Sequence, residues 1–201
     1  MIPVYGIVLA GGNSSRMGTD KALLPIGGKP LIVALCENMA SVCDSVTVVT
    51  PFHEPNRYQS VLSRETKIVS DSRPGKGPLG GLAAGLSFLR DHAAECDARA
   101  GYAFVMACDM PVFSLSLFHR MRGLLEQQPG LDGVMCEGQY FHAFYHPSVS
   151  ERAKRALLAD ELKLGKFVAS LNMLITEPQP SERECFRNLN SPEDYRAFLR
   201  P

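Results

Sequence analysis

The sequence predicts an α/β fold, with a mostly parallel sheet covered by helices on both faces and a small antiparallel elaboration in the C-terminal third. Three observations predict it. Short apolar or β-branched runs recur through roughly the first 110 residues, each stopped by Gly, Pro or Asp. Longer stretches with apolar residues at helical spacing separate them, and strands that alternate with helices pair in parallel through right-handed crossovers. Beyond about residue 130 the pattern changes to two adjacent runs joined by a glycine, the signature of an antiparallel hairpin.

The elements follow in order. Tyr5-Gly6-Ile7-Val8-Leu9-Ala10 reads as a buried strand feeding a Gly11-Gly12 turn. Pro30 starts a helix that carries Leu31, Ala34, Leu35 and Met39. Val46 to Thr50 is a second strand, stopped by Pro51; a short helix is expected around Arg57 to Leu62 and a third strand from Lys67 to Ser70. The Gly/Pro-rich stretch from Asp71 to Gly77 leads into a helix from about Pro78 to Leu89. Tyr102 to Ala107 is the most apolar strand, and Ser114 caps a helix whose core stripe is Leu117, Met121, Leu124 and Leu125. Gly133 to Glu137 and Tyr140 to Tyr145 form the hairpin through Gly138, followed by helices near Glu151 to Glu161 and Lys166 to Leu171, a strand from Asn172 to Thr176 and a closing helix from Pro192 to Leu199.

Composition narrows the function classes. The chain has 201 residues, 45% apolar and 21% charged, which suits one globular domain and is too hydrophobic for disorder. Lys and Arg number 21 and so do Asp and Glu, so the chain lacks the basic excess of a nucleic-acid binder. No apolar run approaches the roughly 20 residues of a membrane span, and the N-terminus lacks the basic segment of a signal peptide. Cys36, Cys43, Cys96, Cys108, Cys136 and Cys185 form no CxxC pair and read as thiols of a reducing cytoplasm.

In an open parallel sheet, ligands bind beyond the carboxyl ends of the strands, and three such ends carry unusual residues. After the first strand, Leu9, Ala10, Gly11 and Gly12 begin a loop that holds Arg16, Gly18 and Lys21, so that backbone N–H groups and two cations lie where a polyphosphate would. No Gly-Lys-Ser/Thr closes this loop, so it is not a Walker A motif. After the third strand, Asp71 precedes a literal GxGxxG at Gly75 to Gly80. Four residues separate that match from the strand end, so it does not fit the dinucleotide fingerprint; Gly77-Pro78 is instead a turn into a helix, Gly81 and Gly85 suit close helix–sheet packing, and phosphate contact at the helix start stays open. Asp109 ends the most apolar strand, where a carboxylate needs water, a partner or a cation; magnesium fits, and a turn or helix cap after Pro111 is the alternative. Asn188 and Asn190, just before Ser191-Pro192, suit turn and capping roles on residue type alone. His142, His146 and Cys136 lack metal-ligand spacing, and no Ser/His/Asp relay is present.

Leu9 through Leu24 (LAGGNSSRMGTDKALL), the Asp71-Ser72 to Gly81 segment, Cys108-Asp109-Met110-Pro111 and Phe186 to Asp194 (FRNLNSPED) resemble, in the same order, the motifs of the molybdenum cofactor guanylyltransferases, a branch of the nucleotidyltransferases. The resemblance spans nearly the whole chain. It implies one Rossmann-like three-layer domain over residues 1–201, with a nucleotide-binding half to about 112 and an acceptor-binding half from about 113. It also implies GTP and molybdopterin as substrates, Mg2+ as cofactor, and room for other cofactor-biosynthesis proteins or molybdoenzyme chaperones as partners. Leu9, Ala10, Gly11, Gly12, Lys21, Asp71, Gly77 and Asp109 would bind the nucleotide, Arg16, Lys21 and Asp109 would serve catalysis, Asp109 would hold the metal, and Asn188 and Asn190 would face the pterin. Where some members have Asn after the second strand, this chain has Thr50-Pro51. A cytidylyl- or sugar-phosphate nucleotidyltransferase, and a nucleotide-binding module without turnover, are the alternatives.

Overall fold

The computed structural model describes residues 1–11, 19–54, 56–71, 75–95 and 101–200, the side chains of 93–95 excepted. Gly12, Arg16 and Cys96 therefore lie outside the described residues. A seven-stranded sheet forms the middle layer. Its strands are β1 (Val4–Leu9), β4 (Ser45–Thr50), β5 (Lys67–Ser70), β6 (Tyr102–Ala107), β7 (Gly133–Cys136), β8 (Gln139–Tyr145) and β9 (Met173–Thr176), while β2 (Pro25–Ile26) and β3 (Lys29–Pro30) make a separate short hairpin. The spatial order is β5-β4-β1-β6-β8-β7-β9. The pairs β4–β5, β1–β4 and β1–β6 are parallel, with Val8 opposite both Val48 and Met106. β8 runs antiparallel to both β6 and β7, and β9 returns parallel to β7.

Period-two alternation sends β1 side chains into two separate cores. Val4 and Val8 pack with α1 (Leu31–Ala40) and α3 (Leu115–Gln127), in a cluster that includes Leu35, Met39, Phe104 and Phe118. Ile7 and Leu9 face α2 (Gly77–Glu95) and α4 (Ser150–Leu158), with Leu79, Leu82 and Leu86. A Cβ at Gly85 would stand 3.0 Å from Ile7, so this glycine lets α2 lie directly on the sheet, as its spacing suggested. α5 (Leu164–Ala169) covers the same face, and α6 (Pro192–Phe198) closes the chain behind a Ser191/Asp194 capping box.

Besides the unexpected β2–β3 hairpin and the extension of α2 beyond Leu89 to Glu95, two further elements differ from expectation. Arg57 to Leu62 is a run of turns rather than a helix, with Val61 and Leu62 both donating to the Tyr58 carbonyl. Tyr58 is 1% exposed, with its ring in the core and its hydroxyl donating to Asp20, so these turns are anchored by a tertiary contact. A 3-10 helix at Pro180–Phe186, preceded by a Gln179/Glu182 capping box, lies where no periodic signal stands in the sequence.

Candidate active site

The carboxyl ends of β1, β4, β5 and β6 form one rim of the sheet, and three of the sequence-marked segments leave from it. At the end of β1 the ladder continues one residue further than the strand. The Ala10 N–H donates to Val49 O (2.9 Å), and Leu9 O accepts from the Cys108 N–H (3.0 Å). Gly11 is exposed, and a Cβ there would meet nothing within 4 Å, so the backbone leaves the sheet into open space.

The chain returns at Asp20, which caps the 3-10 turn Lys21–Leu23 by accepting from the Ala22 N–H (3.0 Å). Buried Ala22 and Leu24 anchor this turn to the core beside α1, and Lys21 projects from it. The Lys21 Nζ donates to Asn190 Oδ1 at 3.0 Å, across 169 residues of sequence.

Asp109 follows β6 directly. Burial holds its carboxyl above the ordinary 3.8, and the nearby Lys21 ammonium opposes that shift. The Leu189 N–H donates to the Asp109 carbonyl at 2.8 Å, which brings Asn188 and Asn190 to either side of the bond. Lys21, Asp109, Asn188 and Asn190, scattered from residue 21 to residue 190, thus meet at one end of the sheet. A half-buried carboxylate beside one ammonium suits a hard divalent cation that takes its remaining ligands from substrate phosphates. Among the described residues no group of three or more His, Cys, Asp and Glu side chains could cage a metal unaided.

Asp71 follows β5, the edge strand, three strands across the sheet from β6. Its N–H donates to Thr50 O (2.8 Å), and its carboxylate packs on the first turn of α2 so closely that a Cβ at Gly80 would stand 2.6 Å from Oδ2. Gly80 therefore serves the approach of an acidic side chain to a helix N-terminus. Gly77 has φ +63°, which lets the chain turn sharply into that helix. Thr50 is 1% exposed and its hydroxyl donates to Val69 O (3.3 Å), so its side chain is spent inside the sheet.

The C-terminal arm is held by polar contacts and by Cys185 and Leu189, which are buried in the same core as α1 and α3. Arg120 on α3 pairs with Glu182 (2.6 Å and 3.1 Å) and also donates to Thr176 (2.8 Å). Glu182 is 1% exposed; the Arg120 hydrogen bonds and the Gln179 N–H hold its carboxyl below the usual range. The Tyr195 phenol donates to Pro25 O (2.6 Å), tying α6 to the β2–β3 hairpin. His142, at φ +54° and buried, donates through Nε2 to Val112 O (2.8 Å), three residues after Asp109. Its packing against Phe104 and Phe186 makes it a core residue, and burial pushes its ring down to about 4.

Sequence reading missed Asp20, Arg57, Tyr58, Arg120 and Glu182. An Asp two residues before the short apolar run Ala22-Leu23-Leu24 is a cap signal that points to the first. The others are partners across long sequence separations, which periodicity does not reveal.

Comparison with known proteins shows the family and the fold. The MobA-like NTP transferase domain matches residues 6–174. A probable molybdenum cofactor guanylyltransferase of Peptoclostridium acidaminophilum is 32% identical over 96% of this chain and 86% of its own length. The molybdenum cofactor guanylyltransferase of Syntrophotalea carbinolica is also 32% identical, over 96% of this chain and 90% of its own. Among solved structures, the molybdopterin-guanine dinucleotide biosynthesis protein A of Archaeoglobus fulgidus superposes with a TM-score of 0.77 at 22% identity, over 96% of this chain and 95% of that one. No helix among the described residues is long and apolar enough to cross a membrane. With a seven-stranded mixed sheet and a strand-end site of this kind, the chain belongs to the MobA-like NTP transferases, a family of nucleotidyltransferase enzymes.

Proposed function

We propose that the protein transfers GMP from GTP to the terminal phosphate of molybdopterin, giving molybdopterin guanine dinucleotide and pyrophosphate. The observation that carries this reading is the meeting of Lys21 and Asp109 with the Asn188–Asn190 segment, which supplies one site with both a phosphate-handling side and an amide-bearing side. The relatives named for the molybdenum cofactor supply the identity of the two substrates.

The reaction asks little of acid–base chemistry. A phosphate oxygen of the acceptor, already anionic, forms a bond to the α-phosphorus of GTP, and the bond from that phosphorus to the β-bridging oxygen breaks. Pyrophosphate leaves with the electron pair. The protein has to align the two phosphates and neutralise charge as they approach. Lys21 does both, since its ammonium is held at the seam between the halves. Gly11 would present its backbone N–H to the nucleotide, and Asp71 with Gly77 would bound the nucleoside side; Gly12 and Arg16, to which the resemblance gives nucleotide and catalytic roles, lie outside the described residues. Asn188 and Asn190 offer amide donors and acceptors to the pterin edge. Asp109 would hold Mg2+, which when bound shields the triphosphate and stabilises departing pyrophosphate.

Pyrophosphate release measured with each of the four nucleoside triphosphates, with and without molybdopterin, tests the reading. It predicts release that requires both GTP and molybdopterin. A preference for CTP would make the protein a cytidylyltransferase, and release with none of the four would make it a binding module.

A further inference from the structure

Asp20 stands at a junction of three chain segments. Its Oδ1 accepts from the Ala22 N–H of the turn that carries Lys21, and its Oδ2 accepts from Arg57 Nε (2.7 Å) and from the Tyr58 phenol (3.0 Å). The Tyr58 hydroxyl also stands 3.4 Å from the Ala10 carbonyl at the end of β1. Arg57 in turn pairs with Glu54, which ties the charge cluster to the β4–β5 connection. The Asp20 side chain is 13% exposed and Tyr58 1%, while Arg57 is 31% exposed, so the clasp is shielded from water on its Tyr58 side, where hydrogen bonds to a charged group fix geometry most firmly. Both outer segments belong to the rim: the β1 end precedes the nucleotide loop, and Lys21 lies one residue beyond Asp20.

We propose that Arg57 and Tyr58 are positioning residues for nucleotidyl transfer, holding Asp20 and through it the Lys21 turn at a fixed distance from the end of β1. The inference rests on the role given above to Lys21. The clasp has a directional logic. Asp20 spends one oxygen on the turn and the other on two donors from a different connection, so it cannot follow the loop outward without giving up two hydrogen bonds. Lys21 then meets the phosphates already placed, and binding energy is not consumed in ordering the turn.

The test uses Tyr58→Phe, which keeps the buried ring and removes only the hydroxyl, together with Arg57→Ala and Arg57→Lys on the half-exposed partner. The expected result is a fall in kcat/KM of roughly tenfold to a hundredfold for Tyr58→Phe and Arg57→Ala, with partial recovery in Arg57→Lys. The Ala22 amide should exchange with solvent faster in both deficient variants while Tm holds. In a Lys21→Ala background the same substitutions should cost almost nothing more, because a residue that acts through Lys21 has nothing left to position. Undiminished losses in that background, or no loss from either substitution in the wild-type background, would overturn the inference. If Tyr58→Phe folds poorly, the Arg57 pair decides alone. A Lys21→Ala enzyme with wild-type turnover would instead overturn the role of Lys21 itself, an outcome distinct from failure of the clasp.

Discussion

The two sides of the proposed site are built by different physical means. The proposed nucleotide side is built on parallel strands, where β1, β4 and β6 end together in register. The proposed acceptor side arrives on an arm outside the sheet. Residues 177–191 run through a 3-10 helix fastened by Arg120–Glu182, by Leu189 donating to Asp109, by Lys21 donating to Asn190, and by the isolated buried side chains of Cys185 and Leu189. A strand-end site inherits its geometry from the core; an arm has to be fastened at points. The acceptor half should therefore fail first when single polar contacts are removed, and the nucleotide half should tolerate the same treatment.

The largest expected effect falls on the main fastening. Arg120→Met leaves Glu182 buried without its cation, and breaking a buried pair in this way costs about 3–5 kcal/mol. Chemical denaturation should read that loss, and nucleotide affinity of the folded fraction should stay near wild type. Equal loss of both would remove the distinction between the halves. Next comes Lys21→Ala, which should cost about 3 kcal/mol in kcat/KM, the scale of one lost preorganised donor, with little change in Tm. A change confined to KM would make Lys21 a ground-state contact only.

The smallest effect is one of pH, and its sign differs between the halves. Glu182 has a folded value below its ordinary 4.5, so its contribution is complete above that value and is lost as pH falls through the folded one. Asp109 has a folded value above its ordinary 3.8, so protonation relieves a burial cost and stabilises the folded state as pH falls. Amide exchange followed from neutral pH to below about pH 4 should show the residues around Glu182 opening before β1 and β6. Simultaneous opening would contradict the account.

The same contrast explains how much was legible in the sequence. β1, β4, β6 and α3 announce themselves through apolar periodicity, because burial on defined faces is what folds them. Asp109 and Lys21 were legible as charges next to buried strands, and the meeting of Asn190 with Lys21 was not, because a hydrogen bond across 169 residues leaves no local trace. The turns at Arg57 to Leu62 were misread as helix for a related reason: the Tyr58 phenol is recruited by Asp20, a tertiary contact that overrides local preference. The 3-10 arm carries no regular apolar repeat; the Arg120–Glu182 pair and isolated buried residues, Cys185 and Leu189, hold it.

The most direct measurement of the central claim follows the label in GTP labelled at the α-phosphorus, incubated with the wild-type enzyme, Mg2+ and molybdopterin. The account predicts label in the pterin guanine dinucleotide and unlabelled pyrophosphate in equal amount. Label recovered only in GDP or GMP, with no pterin dinucleotide formed, would contradict it.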